Sequence, residues 1–139
     1  MTVNPMRSGS DAAIAACRAA VSAFPDEARF KYQLGRALGA AGKHAEASEW
    51  YERIADESYP AALADLGELY IAGKGVARDH ARGFAMEEAA AEAGSVEGMY
   101  WLGVLHREGW GVAQDFAAAR RFDHPGCAPS KTKTGSRSS

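Results

Sequence analysis

Two glycines two residues apart, then a valine and an aspartate, occur at two places in the chain. They read Gly73-Lys74-Gly75-Val76 before Asp79 and Gly109-Trp110-Gly111-Val112 before Asp115. Such glycines are the raw material of phosphate cradles, because backbone N–H groups can close on an anion where no side chain intervenes. A phosphate loop, however, is a longer arch ending in Gly-Lys-Ser/Thr, whose lysine and hydroxyl handle phosphates and magnesium. Neither stretch has that span or that hydroxyl. A dinucleotide fingerprint needs a third glycine and a preceding strand, and both are missing. The two copies stand 36 residues apart, and a fixed step of that size marks a structural unit used twice.

Other residues capable of chemistry are scattered. His44, His80, His106 and His124 are widely spaced, and no pair stands four apart around a glutamate as a zincin requires. His106 is expected as a partly buried packing residue. Cys17 falls on a helical apolar face as a buried reduced thiol without a base partner, and Cys127 lies in a Pro/Gly-rich tail. No serine sits in Gly-x-Ser-x-Gly. The pair Glu87-Glu88 reads as two acids on a solvated helix. No catalytic residue, metal ligand or cofactor follows from these residues, and a non-enzymatic protein is expected.

The chain has 139 residues, 47% hydrophobic, with a formal net charge of −2, which fits one compact domain or a short repeat array. It lacks the basic field that nucleic acid would require. No run of 18 uncharged apolar residues crosses a membrane. The opening segment carries Arg18 within an amphipathic alanine pattern, unlike a secretory signal. Partners other than nucleic acid and membrane, and a cytoplasmic location, are the expectations.

Repetition organises the chain. Shifting 61–84 by 36 residues lays Leu63 on Met99, Leu66-Gly67 on Leu102-Gly103, and Leu69 on Leu105. A shorter copy lies upstream, where Leu34-Gly35 precedes Leu66-Gly67 by 32 residues and the connection lacks the second glycine and its valine. Apolar spacing predicts helices at 11–24, 26–41, 44–57, 61–72, 79–93, 96–107 and 115–122. Leu63, Leu66 and Tyr70 form the buried face of one helix, and Ala81, Ala85, Ala89 and Ala93 with Met86 the face of the next. Gly67 and Gly103 mark close helix crossings. Within the loops, the glycines permit positive φ and Val76 and Val112 plug the apolar gap. Asp79 and Asp115 cap the following helices, while Lys74 and Trp110 face water.

Residues 61–94 resemble a Sel1-like repeat through Leu66, Gly67, Tyr70, Gly73, Gly75, Val76, Asp79, Ala90, Ala91 and Gly94. Gly83 and Met86 stand where that pattern usually has alanine and tryptophan. The next unit matches through Asp115, Ala119 and Phe122, with His106 in place of a tyrosine. Upstream, Tyr32, Leu34-Gly35, Leu38, Gly42, Ala47, Trp50-Tyr51 and Ala55 resemble a tetratricopeptide repeat. The resemblance implies an all-α, right-handed superhelical solenoid of antiparallel hairpins. Its parts would be a flexible N-terminus (1–10), tetratricopeptide-like helices (11–58), a Sel1-like repeat (59–94), a truncated one (95–122) and a disordered, mildly basic tail (123–139).

Hairpin arrays present a concave face built mainly by the first helix of each unit. Aligning the units puts Arg29, Ala61 and Glu97 in one row, Gln33, Asp65 and Trp101 in a second, and Arg36, Glu68 and Val104 in a third. With Tyr100, these polar and aromatic residues are the candidate contacts for a protein or peptide partner, which makes the chain an adaptor or scaffold. The alternative is structural, with self-association through an uncapped C-terminal end at Val112, Phe116 and Phe122. An enzyme of unknown class ranks below both.

Overall fold

The computed structural model describes residues 5–122 apart from residue 57, with side chains from Gly9 onward. The tail with Cys127 and His124, and residues 1–4, lie outside the described residues. Seven helices and no strand make up the described part: α1 (Pro5–Ala23), α2 (Ala28–Ala40), α3 (His44–Ile54), α4 (Pro60–Ala72), α5 (His80–Glu92), α6 (Val96–Glu108) and α7 (Phe116–Arg121). Each packs on its neighbours in sequence, and α4 also meets α6. The architecture is an all-α solenoid.

Local chemistry sets the ends. Asp79 accepts the Arg82 N–H at 3.1 Å and Asp115 the Ala118 N–H at 3.0 Å, so both cap their helices as expected. Ser95 does the same for α6 through the Gly98 N–H at 3.0 Å, a cap the repeat alignment passed over. Pro60 opens α4, and left-handed Gly73 and Gly109 close α4 and α6 with N–H bonds to Leu69 and Leu105. Helix α1 begins at Pro5 instead of 11, since a first-turn proline is already set for helix. Helix α2 starts two residues late because Pro25-Asp26 form a turn and Glu27 is extended, and α3 stops at Ile54 where Ala55 becomes extended.

The core falls into two clusters, one across α1 to α4 and a second of Leu63, Ala64 and Ala90 between α4 and α5. Leu34 and Leu38 of α2 meet Ala47, Tyr51 and Ile54 of α3, then Leu66, Leu69 and Tyr70 of α4. In α4 the expected Leu63, Leu66 and Tyr70 are buried, but so are Ala62, Ala64, Leu69 and Ile71, so the helix is enclosed on most sides. The α5 face is not the expected one: Ala81 and Ala85 are exposed, Ala89 and Ala93 half-buried, while Gly83, Glu87 and Ala90 are buried. Alanine is small enough to sit on any face of a helix, so its spacing carried little directional information. Glu87, read as solvated, is fully buried.

Small residues let the helices close. A Cβ on Gly67 would come 3.2 Å from Met86 Cβ and 2.7 Å from a Glu87 carboxylate oxygen, and one on Gly103 would meet Phe122 Cβ at 3.1 Å. Both glycines are therefore crossings, as expected. The paired-glycine loops have a further use. Gly75 (φ 77°) rests on the backbone of His44 and Ala45 at the start of α3, and Gly111 (φ 79°) on that of His80 and Ala81 at the start of α5. Each loop thus seats its hairpin on the second helix of the hairpin before.

Candidate binding surface

Between α2, α3, α4 and the start of α6 lies a cavity of about 360 Å³. Helix α2 contributes Tyr32 and Arg36, one turn apart on the same face. Helix α4 contributes Asp65 and Glu68, α6 adds Glu97, and the first glycine loop adds Lys74. Tyr51 and His44 of α3 close the back.

Its three carboxylates make no direct ion pair, although Arg36 acts on Asp65 and Lys74 on Glu68 from within the same lining. The two ion pairs among the described residues, Arg18–Glu46 and Arg107–Glu108, lie elsewhere. Asp65 accepts a hydrogen bond from the Tyr32 hydroxyl at 2.8 Å. Burial pushes the Asp65 carboxyl up to about 6; the Tyr32 bond opposes this, and the charges of Glu97 and Glu68 add to it. Glu68, still open to solvent at the rim, is raised by desolvation and then by Glu97. The Tyr32 and Tyr51 phenols are raised by burial and then by Asp65, so both stay protonated donors. The rings of Tyr32 and Tyr51 lean on each other at 5.8 Å, and Tyr59 lies 5.2 Å beyond Tyr32. Such a site can hold polar and cationic groups against aromatic faces.

Of the sequence-derived candidates, Arg36, Asp65, Glu68 and Glu97 come together here. Arg29 and Gln33 are exposed on α2 outside the cavity, with the Arg29 guanidinium 5.0 Å over the Phe30 ring. Tyr100 and Trp101 are half-buried and meet edge to face at 5.7 Å, also outside it. Tyr32, His44, Tyr51 and Lys74 were missed as wall residues. Tyr32 and Tyr51 carried the repeat signature, which drew attention to packing and away from the side of each ring left bare. Lys74 does face solvent, as expected. Trp110 is exposed too, as expected, with one face stacked on His80 at 5.1 Å between ring centres. Val76 packs against the core, and Val112 is half-buried. His106 is half-buried between Phe84 and Phe122. Cys17 is a free, half-buried thiol.

Among the described residues, no three His, Cys, Asp or Glu side chains converge as metal ligands, and no helix is long and apolar enough to cross a membrane. No family model matches the sequence, and no curated protein matches it. Solved structures do. One is a protective antigen present in uropathogenic Escherichia coli strains, displaying an SLR fold, with a TM-score of 0.68 and 32% identity over 77% of this chain. The match spans 23% of that longer chain. Another is a Sel1 repeat protein from Oxalobacter formigenes, with a TM-score of 0.60 and 34% identity, covering 70% of this chain and 76% of that one.

Proposed function

The chain belongs to the Sel1 repeat family, and on that premise we propose that it is a non-enzymatic scaffold that binds a peptide or protein segment across the cavity. The observation that carries this reading is the cavity itself. Successive hairpins each send charged side chains into one concave space backed by Tyr32 and Tyr51. A partner segment laid there would meet Arg36 at one helix and Asp65, Glu68 and Glu97 at the next two. Selection of displayed peptides against the full chain tests it. Selected peptides should lose at least about tenfold in affinity on Arg36→Ala or Asp65→Asn, and nothing on Glu92→Ala, an exposed change on α5. Peptides that bind all of these variants alike would place recognition elsewhere.

A second reading, self-association through the last hairpin, draws on Phe116. That residue is 56% exposed at the start of α7, the place where His80 carries Trp110 on α5. A sedimentation mass that stays monomeric up to high concentration removes that reading and leaves the first intact.

A further inference from the structure

Glu87 does not line the cavity, yet it is the most unusual side chain in the fold. It is 0% exposed, and neither carboxyl oxygen has a hydrogen-bond partner. Its place in the repeat explains how it came to be there. In the preceding hairpin, Tyr51 lies over Gly35, whose added Cβ would meet the ring at 2.6 Å. Glu87 lies over Gly67 in the same way, at 2.7 Å. The two residues occupy one structural position: Glu87 is four residues farther from its glycine because the intervening loop is four residues longer. An acid has replaced a ring in the packing between helices.

Helix α4 lies against the acid group through Gly67, and α6 packs on the backbone of the turn that carries it, where a Cβ on Gly98 would sit 2.9 Å from the Glu87 backbone carbonyl. The titratable groups that act on it are Glu68 and Asp65 from α4 and Glu97 from α6, all acids. The one arginine of its own helix, Arg82, is turned over the Tyr70 ring at 4.7 Å, and His80 of the same helix stacks on Trp110. An ionised carboxylate in this position would be desolvated, unpartnered and repelled from two sides. Burial above all, then those three acids, hold its proton up to about 10.

We propose that Glu87 is a proton-dependent latch between the second hairpin and α6. As the neutral acid it lets α5 close on α4 and α6. When the proton leaves, the carboxylate must reach water, and it can do so only by parting α5 from α4 and α6. Glu97 on α6 would then move relative to Asp65 and Glu68, so the latch also sets the geometry of the cavity. The latch stands on packing alone, whatever the cavity binds.

The sign follows from proton counts. The folded chain keeps a proton that the unfolded chain releases near the ordinary glutamate value, so stability declines as pH rises above that value. The full chain should show a carboxylic-acid carbonyl band in its infrared spectrum at pH 8, where Asp65 has ionised, and Glu87→Gln should abolish it. Between pH 5 and 9 the folding constant of the native chain should fall by up to about tenfold per pH unit from this group. That slope should shrink in Glu87→Gln and persist in the exposed control Glu88→Gln. Hydrogen exchange supplies a regional readout: protection in α5 and α6 should drop relative to α2 and α3 in the same sample as pH rises. If Glu87→Gln packs poorly, Glu87→Met removes the titration with an apolar side chain. An absent acid band at pH 8, or an undiminished slope in both variants, overturns the latch.

Discussion

Asp65 carries two demands that oppose each other. It is half-buried beside Glu68 and Glu97, and its carboxyl titrates near 6, above the ordinary carboxylate range, chiefly because of burial. A raised acid makes a stabilising contribution at low pH that is lost as pH climbs through the folded value. Asp65→Asn keeps an acceptor for the Tyr32 hydroxyl and removes the charge. It should therefore raise the melting temperature at pH 7 and change it little at pH 4, as thermal melts at the two pH values would check. The same variant should weaken peptide binding, so a gain in stability with a loss of affinity is the mark of a residue kept for its contacts. Asp79 and Asp115 are simpler. Each satisfies one orphan N–H of its helix, and either one replaced by alanine should cost about 1 kcal/mol in denaturant unfolding, with asparagine restoring most of it.

The paired-glycine loops act at the scale of helices, and position decides what each glycine tolerates. Gly42 and Gly75 both have positive φ, at 83° and 77°. An added Cβ meets nothing within 4 Å at Gly42, whereas at Gly75 it runs into the backbone of His44 and Ala45. Gly42→Ala should cost only the backbone strain, about 1–2 kcal/mol. Gly75→Ala and Gly111→Ala should cost roughly 2–4 kcal/mol, because a neighbouring backbone cannot step aside as a side chain can. Urea midpoints of the three variants would separate the two cases. The sequence signal for these loops was strong, since their glycines, valine and aspartate recur in register. It could not say what the second glycine touches, because its contact lies 30 or so residues away on another hairpin. Glu87 was illegible for a related reason. Beside Glu88, among alanines, nothing local marks it as buried; Gly67 across the helix pair decides that. The cavity was half legible: rows along the first helices gathered Arg36, Asp65, Glu68 and Glu97, while Tyr51 and His44 reach it from α3, which the concave-face rule leaves out.

Across the whole molecule, contacts pass from each helix to the next, with α4 to α6 the added link. Stability in such an array is a sum of unit terms and nearest-neighbour terms, so damage should spread only as far as its neighbours. Leu34, Leu66 and Leu105 are all buried to 2% exposure or less, one each in α2, α4 and α6. Truncation of any of them to alanine removes similar apolar volume, at a cost of about 2–5 kcal/mol. The distribution of the damage should differ. Leu34→Ala should strip hydrogen-exchange protection from α1 to α3 and leave α5 to α7 largely protected. Leu105→Ala should do the reverse. Leu66→Ala sits in the helix that touches α3, α5 and α6, so it alone should lower protection throughout. The cavity spans α2 to α6, and a peptide bound in it would tie the two ends together. Saturating peptide should therefore convert the regional loss in Leu34→Ala toward a single cooperative transition, read as converging exchange rates in α2 and α6. Equal loss of protection in all three variants without peptide would mean that the array already unfolds as one unit, and that ligand has no coupling left to add.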